Sequence, residues 1–217
     1  MPETRLILAV CVAAAIAVAA TAVAPEVDLS AARLALLPAD ASAQAVFRPL
    51  REVFRTTPYV VCGGVLMLHW RQAARGLVLT SAAWRRAIFV VLVLALGPGL
   101  AVNAGLKAHS HRPRPLQTLE AAGGDLAFRP FYRFDGGCEK NCSFSSGEAA
   151  SAFWTTAPAL LSPPQLRLAM TAAALAFGVI VSAMRMVAGA HFLSDVAFSA
   201  LLVLLLTLAT RRALRLD

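Results

Sequence analysis

Residues 5–24 read "RLILAVCVAAAIAVAATAVA", twenty positions with one charge, at the first. In hydrocarbon no water pairs with the backbone, so such a run must satisfy its own N–H and C=O groups as a helix. About twenty apolar residues suffice to cross a bilayer. Similar runs recur at 54–70, 87–105, 147–161, 168–189 and 191–210. The pattern predicts an all-α, polytopic membrane helical bundle of about six transmembrane helices, forming one membrane-embedded domain over 1–217. Only 15% of the residues are charged, where a soluble domain carries about a quarter. Between the runs there is no room for a soluble domain of ordinary size. "AVA" at 22–24 resembles a signal-peptide cleavage site, but Pro25 would follow the cut directly, so an uncleaved anchor is expected.

The formal net charge is +8. The arginines are dispersed, with no solvated basic helix and no aromatic-interleaved patch, so nucleic acid is not an expected partner. Six spans put both termini on one side, with Arg5, the turn 71–86, Arg167 and the tail arginines Arg211, Arg212 and Arg215. Arginine-rich short connections with few acids mark that side as cytoplasmic; the other side also carries many basic residues, so the count alone does not decide, but several of those belong to the polar segments that follow. In 25–57, Asp28 or Ser30 could cap a short helix, and "VFRPLREVFR" reads as an interfacial amphipathic segment or a solvated connector. Cys11 and Cys62 sit in apolar runs as packing residues. Cys138 and Cys142 flank the polar loop "GGCEKNCS" and either bridge it, in an oxidising compartment, or stay reduced. No second pair of soft ligands stands near them, so no metal site is expected there.

Three polar segments fall at the opposite face: "KAHSHRPRP" (107–115), "CSFSSGEAA" (142–150) and "MRMVAGAHFLSD" (184–195). Lys107, Arg114 and Arg185 are cations beside an apolar bundle, and phosphate is their natural partner. Ser145, Ser146 and Gly147 stand where a helix begins, offering free N–H groups to an anion. His191 and Asp195 are spaced i, i+4 and would share a helix face, the carboxylate fixing one ring nitrogen while the other attacks. Each feature alone has a plainer reading. The arginines could set topology, Ser145-x-x-Glu148 could be a capping box, and His191 with Asp195 could be a structural pair.

Together the segments resemble the type 2 phosphatidic acid phosphatases, which share an active site with vanadium haloperoxidases. Lys107, Arg114 and Pro115 match that family's Lys-x6-Arg-Pro; Arg112-Pro113 is a second Arg-Pro, spaced too close to Lys107. Ser146 and Gly147 match the middle of Pro-Ser-Gly-His, with Ser145 for the proline and Glu148 for the histidine. Arg185, His191 and Asp195 match Ser-Arg-x5-His-x3-Asp, with Met184 for the serine. The resemblance implies phosphoryl transfer through a phosphohistidine, without metal or cofactor. His191 would be the nucleophile and Asp195 its orienting partner. Lys107, Arg114, Ser146, Gly147 and Arg185 would hold the phosphoryl oxygens. Glu148 would replace the family's acid histidine, which requires burial to raise its pKa against the lowering effect of the nearby cations.

At a membrane–water boundary a lipid phosphate is the implied substrate: lipid A, phosphatidic acid, phosphatidylglycerol phosphate or undecaprenyl diphosphate. The Glu-for-His change and the cysteine-flanked loop are similar to the lipid A phosphatases of this superfamily. The alanine- and arginine-rich composition points to a bacterial inner-membrane protein whose site faces the periplasm. Arg129, Tyr132 and Arg133 either grip a headgroup or form an ordinary surface loop. A lipid phosphotransferase, or a catalytically weak lipid-binding protein, are the alternative classes.

Overall fold

A computed structural model describes residues 1–36, 41–76 and 80–216, the backbone alone over 41–47. Residues 37–40 of the expected connector and 77–79 of the arginine-rich turn lie outside the described residues. Helices α1 (Pro2–Val23), α2 (Glu26–Ala35), α3 (Ala41–Ala74) and α4 (Ser81–Leu94) come first, and α4 runs on as a wide π-helical segment, Ala95–Lys107. A long loop follows, holding a short turn at Pro115–Gln117 and the one-turn α5 (Leu119–Ala122). Then come α6 (Gly147–Trp154), α7 (Thr156–Ala159), α8 (Pro164–Val187) and α9 (Leu193–Ala213).

Four of these are long and apolar enough to cross a membrane: α1, Ser81–Lys107, α8 and α9. They correspond to the first, third, fifth and sixth expected spans. The fourth expected span is two short helices, α6 and α7. From Ala149 to Trp154 α6 is buried, packed against α8, α9 and the π segment. A helix surrounded by protein does not need a lipid-facing apolar surface along its length. The second expected span lies inside α3, which is already helical over 41–57 of the expected connector and carries Arg48, Arg51, Glu52 and Arg55.

α1 packs on α9, and Ile7, Cys11 and Ala14 join a core with Phe89, Val90, Trp154 and Leu204. Trp154 lies in this core with its indole N–H donating to the Val90 carbonyl at 2.9 Å, so its one polar atom is satisfied. A Cβ at Gly178 would come within 2.4 Å of the Phe153 ring, so glycine is what lets α8 close on α6. Cys11 and Cys62 are buried, as expected.

Two devices bring the polar ends of these helices together. The first is the π segment, which contains Pro98 and several glycines. Proline removes a backbone donor, and the Pro98 carbonyl accepts from the Asn103 side chain at 2.7 Å. Wide π turns often occur at functional sites, and this one ends on Lys107. The second is the stop of α8. Gly189 takes φ +59, and its carbonyl accepts from Leu116 N–H at 3.1 Å, which ties the 107–115 segment to the turn before His191. A side chain at Gly189 would also strike Leu116 and Leu36.

Candidate active site

His191 lies in the short link between α8 and α9, 1% exposed. It therefore precedes the helix that carries Asp195, and the expected shared helix face is not what joins them. Asp195 occupies the first turn of α9, where its Oδ2 accepts from the Phe192 N–H at 2.8 Å. That folds the chain back so that His191 Nδ1 stands 3.5 Å from the same oxygen. The nearer partner of Nδ1 is the Ser143 carbonyl, at 2.8 Å. A carbonyl can only accept, so Nδ1 carries the proton and Nε2 keeps its lone pair. Burial, outweighing the hydrogen bond to Asp195, pushes the ring's pKa down to about 4. The imidazole is neutral at physiological pH, the form a nucleophile requires.

Asp195 is itself held from three sides. Ser143 Oγ donates to Oδ2 at 2.5 Å, and Arg112 Nη1 donates to Oδ1 at 2.5 Å. Arg112 is fully buried, and its other nitrogen, Nη2, reaches Asp28 on α2 at 2.8 Å. Its Nε donates to the Arg129 carbonyl, and its guanidinium lies 4.4 Å from the centre of the Phe192 ring. Asp28 also accepts from the Ser194 N–H and hydroxyl, at 2.8 and 2.6 Å. A guanidinium is thus clamped between two buried carboxylates, with its fork filled by charge-assisted bonds. Spacing set Arg112 aside in favour of Arg114. In the fold Arg112 is buried against Asp195 and Asp28, while Arg114 lines the cavity.

The cations gather around Glu148. Arg114, Glu148 and Arg185 line one cavity of about 260 Å³, with Arg48, Arg51, Met184 and Ala190. Lys107, Gly147 and Glu148 line a second, with Arg51 and Asn103. Ser146, not Ser145, caps α6, its Oγ accepting from the Ala149 N–H at 3.3 Å. The alternative reading, a Ser145-to-Glu148 capping box, is not formed, since the cap is one residue later and Glu148 pairs with Arg51. Arg51 Nη2 meets Oε1 at 2.6 Å and Arg51 Nε meets the same oxygen at 3.1 Å. Arg185 Nε stands 3.5 Å from Oε2, close enough to attract but without a formed hydrogen bond. Burial raises the Glu148 carboxyl, yet the Arg51 hydrogen bonds and the charges of Arg185 and Arg51 outweigh it and leave the group below its ordinary value. A Cβ at Gly147 would lie 2.5 Å from Asn103 Oδ1, so this close approach of α6 to the π segment requires glycine.

The loop between these groups is built on close backbone pairing. Cys138 N–H donates to the His111 carbonyl at 3.1 Å and Ser143 N–H to the Arg112 carbonyl at 2.8 Å. Gly136 permits the approach, since a Cβ there would fall 2.2 Å from the His111 carbonyl oxygen. Cys138 and Cys142 form a disulfide, with their Cα atoms 5.7 Å apart. Inside it, Asn141 adopts a left-handed φ of +54, which asparagine tolerates. Its carbonyl accepts from Arg114 Nε and Nη2 at 3.0 and 2.8 Å. Arg129 and Arg133 both turn to Asp135, at 3.4 and 3.0 Å, and Tyr132 is exposed.

Sequence reasoning missed Arg51 and Asp28, which come from helices outside the three motifs. Their ionic partners lie 97 and 84 residues away, so local pattern carries no sign of either pairing. Asp28 was visible only as a candidate helix cap.

The sequence model of the PAP2 superfamily matches residues 86–216. A protein of Rhizobium leguminosarum named lipid A 4′-phosphatase is 40% identical over 156 residues, covering 70% of this chain and 65% of that protein. One of the same name from Francisella tularensis subsp. novicida is 41% identical over 126 residues, covering 57% of this chain and 56% of that protein. The chain thus spans roughly six tenths of the length of these relatives. No solved structure matches it.

Proposed function

The chain belongs to the PAP2 superfamily, and from that premise we propose that it is a multi-pass bacterial membrane phosphatase acting on a lipid phosphate, with lipid A as the first candidate substrate. The observation that carries this reading is the neutral His191, held at Nδ1 by the Ser143 carbonyl with Asp195 behind it, beside cavities lined by Lys107, Arg114 and Arg185. The choice of lipid A rests on the similarity to the two proteins named lipid A 4′-phosphatase.

In this reading His191 Nε2 attacks phosphorus and the P–O bond to the lipid breaks. The ring becomes a phosphoimidazole whose positive charge Asp195 balances. Lys107, Arg114, Arg185, the Ser146 hydroxyl and the Gly147 N–H stabilise the phosphoryl oxygens as charge shifts among them. Glu148 protonates the departing lipid oxygen and then activates water. That water breaks the P–N bond, releasing inorganic phosphate and restoring the neutral ring. Fixed guanidinium and ammonium groups perform the charge stabilisation a divalent ion supplies elsewhere, so activity should survive EDTA and fall with orthovanadate.

The test is inorganic phosphate release by the purified chain from lipid A, phosphatidic acid, phosphatidylglycerol phosphate and undecaprenyl diphosphate, beside His191→Ala. Turnover of one lipid, lost in the variant, supports the proposal. Equal release by both proteins, or from none of the lipids, removes it. Phosphate appearing on an added lipid acceptor instead would make the chain a phosphotransferase.

A further inference from the structure

Arg51 stands on α3, outside the 86–216 region matched by the family, yet it makes the shortest contact to Glu148, at 2.6 Å. We propose that Arg51 is a ligand for the substrate's phosphate, held ready by Glu148 and surrendered by it when the phosphate arrives.

Four observations support this. First, Arg51 and Glu148 line both cavities, one shared with Arg114 and Arg185 and the other with Lys107 and Gly147. A phosphoryl group reached by all these cations must take the place where the two side chains now meet. Second, a carboxylate and a phosphate present the same paired oxygens to a guanidinium fork, and a phosphate dianion carries twice the charge. It competes for the same donors and wins. Third, Arg185 Nε is buried without a hydrogen bond, 3.5 Å from Glu148 Oε2. A buried charged donor left so poorly served calls for a better-placed acceptor. Fourth, Arg51 is well placed to reach an arriving ligand. Its side chain is 44% exposed, while α3 is anchored beside it by the edge-on contact of Phe54 with Phe177 of α8. The neighbouring Arg55 is already paired with Glu52 at 2.6 Å.

The exchange also gives Glu148 the form its proposed acid role needs. Once Arg51 and Arg185 turn to the phosphate, the carboxylate faces a dianion instead of two cations and takes a proton from solvent. This rests on the phosphatase reading for the later use of that proton, but the exchange itself concerns binding alone.

The test is the Kd of inorganic phosphate, and of orthovanadate, for the full chain in detergent. It compares wild type with Arg51→Gln, Arg51→Lys, Glu148→Gln and the double Gln variant, with a thermal melt of each. Arg51→Gln should weaken phosphate by about tenfold or more, the worth of one charge-assisted hydrogen bond, and Arg51→Lys should recover part of the loss. Glu148→Gln should tighten phosphate by removing its competitor, and that gain should shrink in the Arg51→Gln background. Unchanged Kd values with equal losses in melting temperature would make the pair a structural tie and overturn the proposal. Should Arg51→Gln fail to fold, an unchanged Kd in Arg51→Lys together with no tightening in Glu148→Gln would overturn it equally. No measurable phosphate binding by the wild type would also end it. The expected Kd pattern in a chain that hydrolyses none of the lipids would uphold this proposal while removing the phosphatase reading.

Discussion

A buried imidazole beside a carboxylate could be held as a cation, but the cost of burying the charge outweighs the attraction of Asp195 for His191. Its pKa of about 4 lies below the ordinary value near 6.5. Between those pH values the unfolded chain binds a proton that the folded site refuses. Stability therefore falls as pH drops through this window and is unaffected by the ring above it. The melting temperature of the wild type should fall between pH 6.5 and 4 relative to His191→Gln; parallel melting curves would mean the ring titrates normally. Arg112 offers a second residue-level prediction. Its two buried carboxylate partners, Asp28 and Asp195, have 1% and 0% side-chain exposure. Arg112→Met strips both of their cation, and breaking such a buried pair costs roughly 3–5 kcal/mol. Asp28→Asn keeps the hydrogen-bonding shape but loosens Arg112, and through it Asp195. As a positioning residue, Asp28 should lower kcat on replacement and leave KM nearly unchanged. A matched rise in KM would place it in substrate binding instead.

At the scale of elements, the disulfide loop and the helices respond differently to sequence reading. Lys107, Arg114, Gly147, Arg185, His191 and Asp195 could be proposed together from sequence because their spacings are local and their residue types share one chemistry, and the fold places the first four along two adjoining cavities and pairs the last two. The spans facing lipid were legible because hydropathy reports exposure to lipid. α6 was blurred for the same reason, since its neighbours are protein. The loop's state was undecided in sequence, because C-x3-C closes only with a suitable turn, and the left-handed Asn141 supplies one. Closing so short a loop is worth about 2 kcal/mol on the chain-entropy account. Its larger effect should be on Arg114, whose guanidinium is held by the Asn141 carbonyl inside the loop. Replacing both Cys138 and Cys142 by serine, or reducing the wild type, should raise KM several-fold with little change in kcat. An unchanged KM would show that Arg114 is placed without the bridge.

Across the whole molecule, the site is assembled from more chain than its motifs span. α2 sends Asp28 to Arg112 and α3 sends Arg51 to Glu148, so helices from outside the three motifs reach the candidate site. These contacts were illegible because nothing local fixes which helix returns to which. Only packing does, as in the contact of α1 with α9 and of α3 with α6. Sidedness is the remaining whole-molecule property, and two features support the proposed periplasmic site. The disulfide stands at the same end as the site, and disulfides persist in oxidising compartments. Arg71 and Arg75 close α3 at the other end, where short basic connections mark the cytoplasm. The proposed periplasmic site therefore predicts a labelling pattern. In a background lacking Cys11 and Cys62, both buried, a cysteine replacing Leu119, which is 65% exposed, should react with a membrane-impermeant maleimide in intact spheroplasts. A cysteine replacing the exposed Arg75 should react only after the membrane is opened. The reverse pattern would turn the site to the cytoplasm, where a lipid phosphate on the outer leaflet of the inner membrane is out of reach.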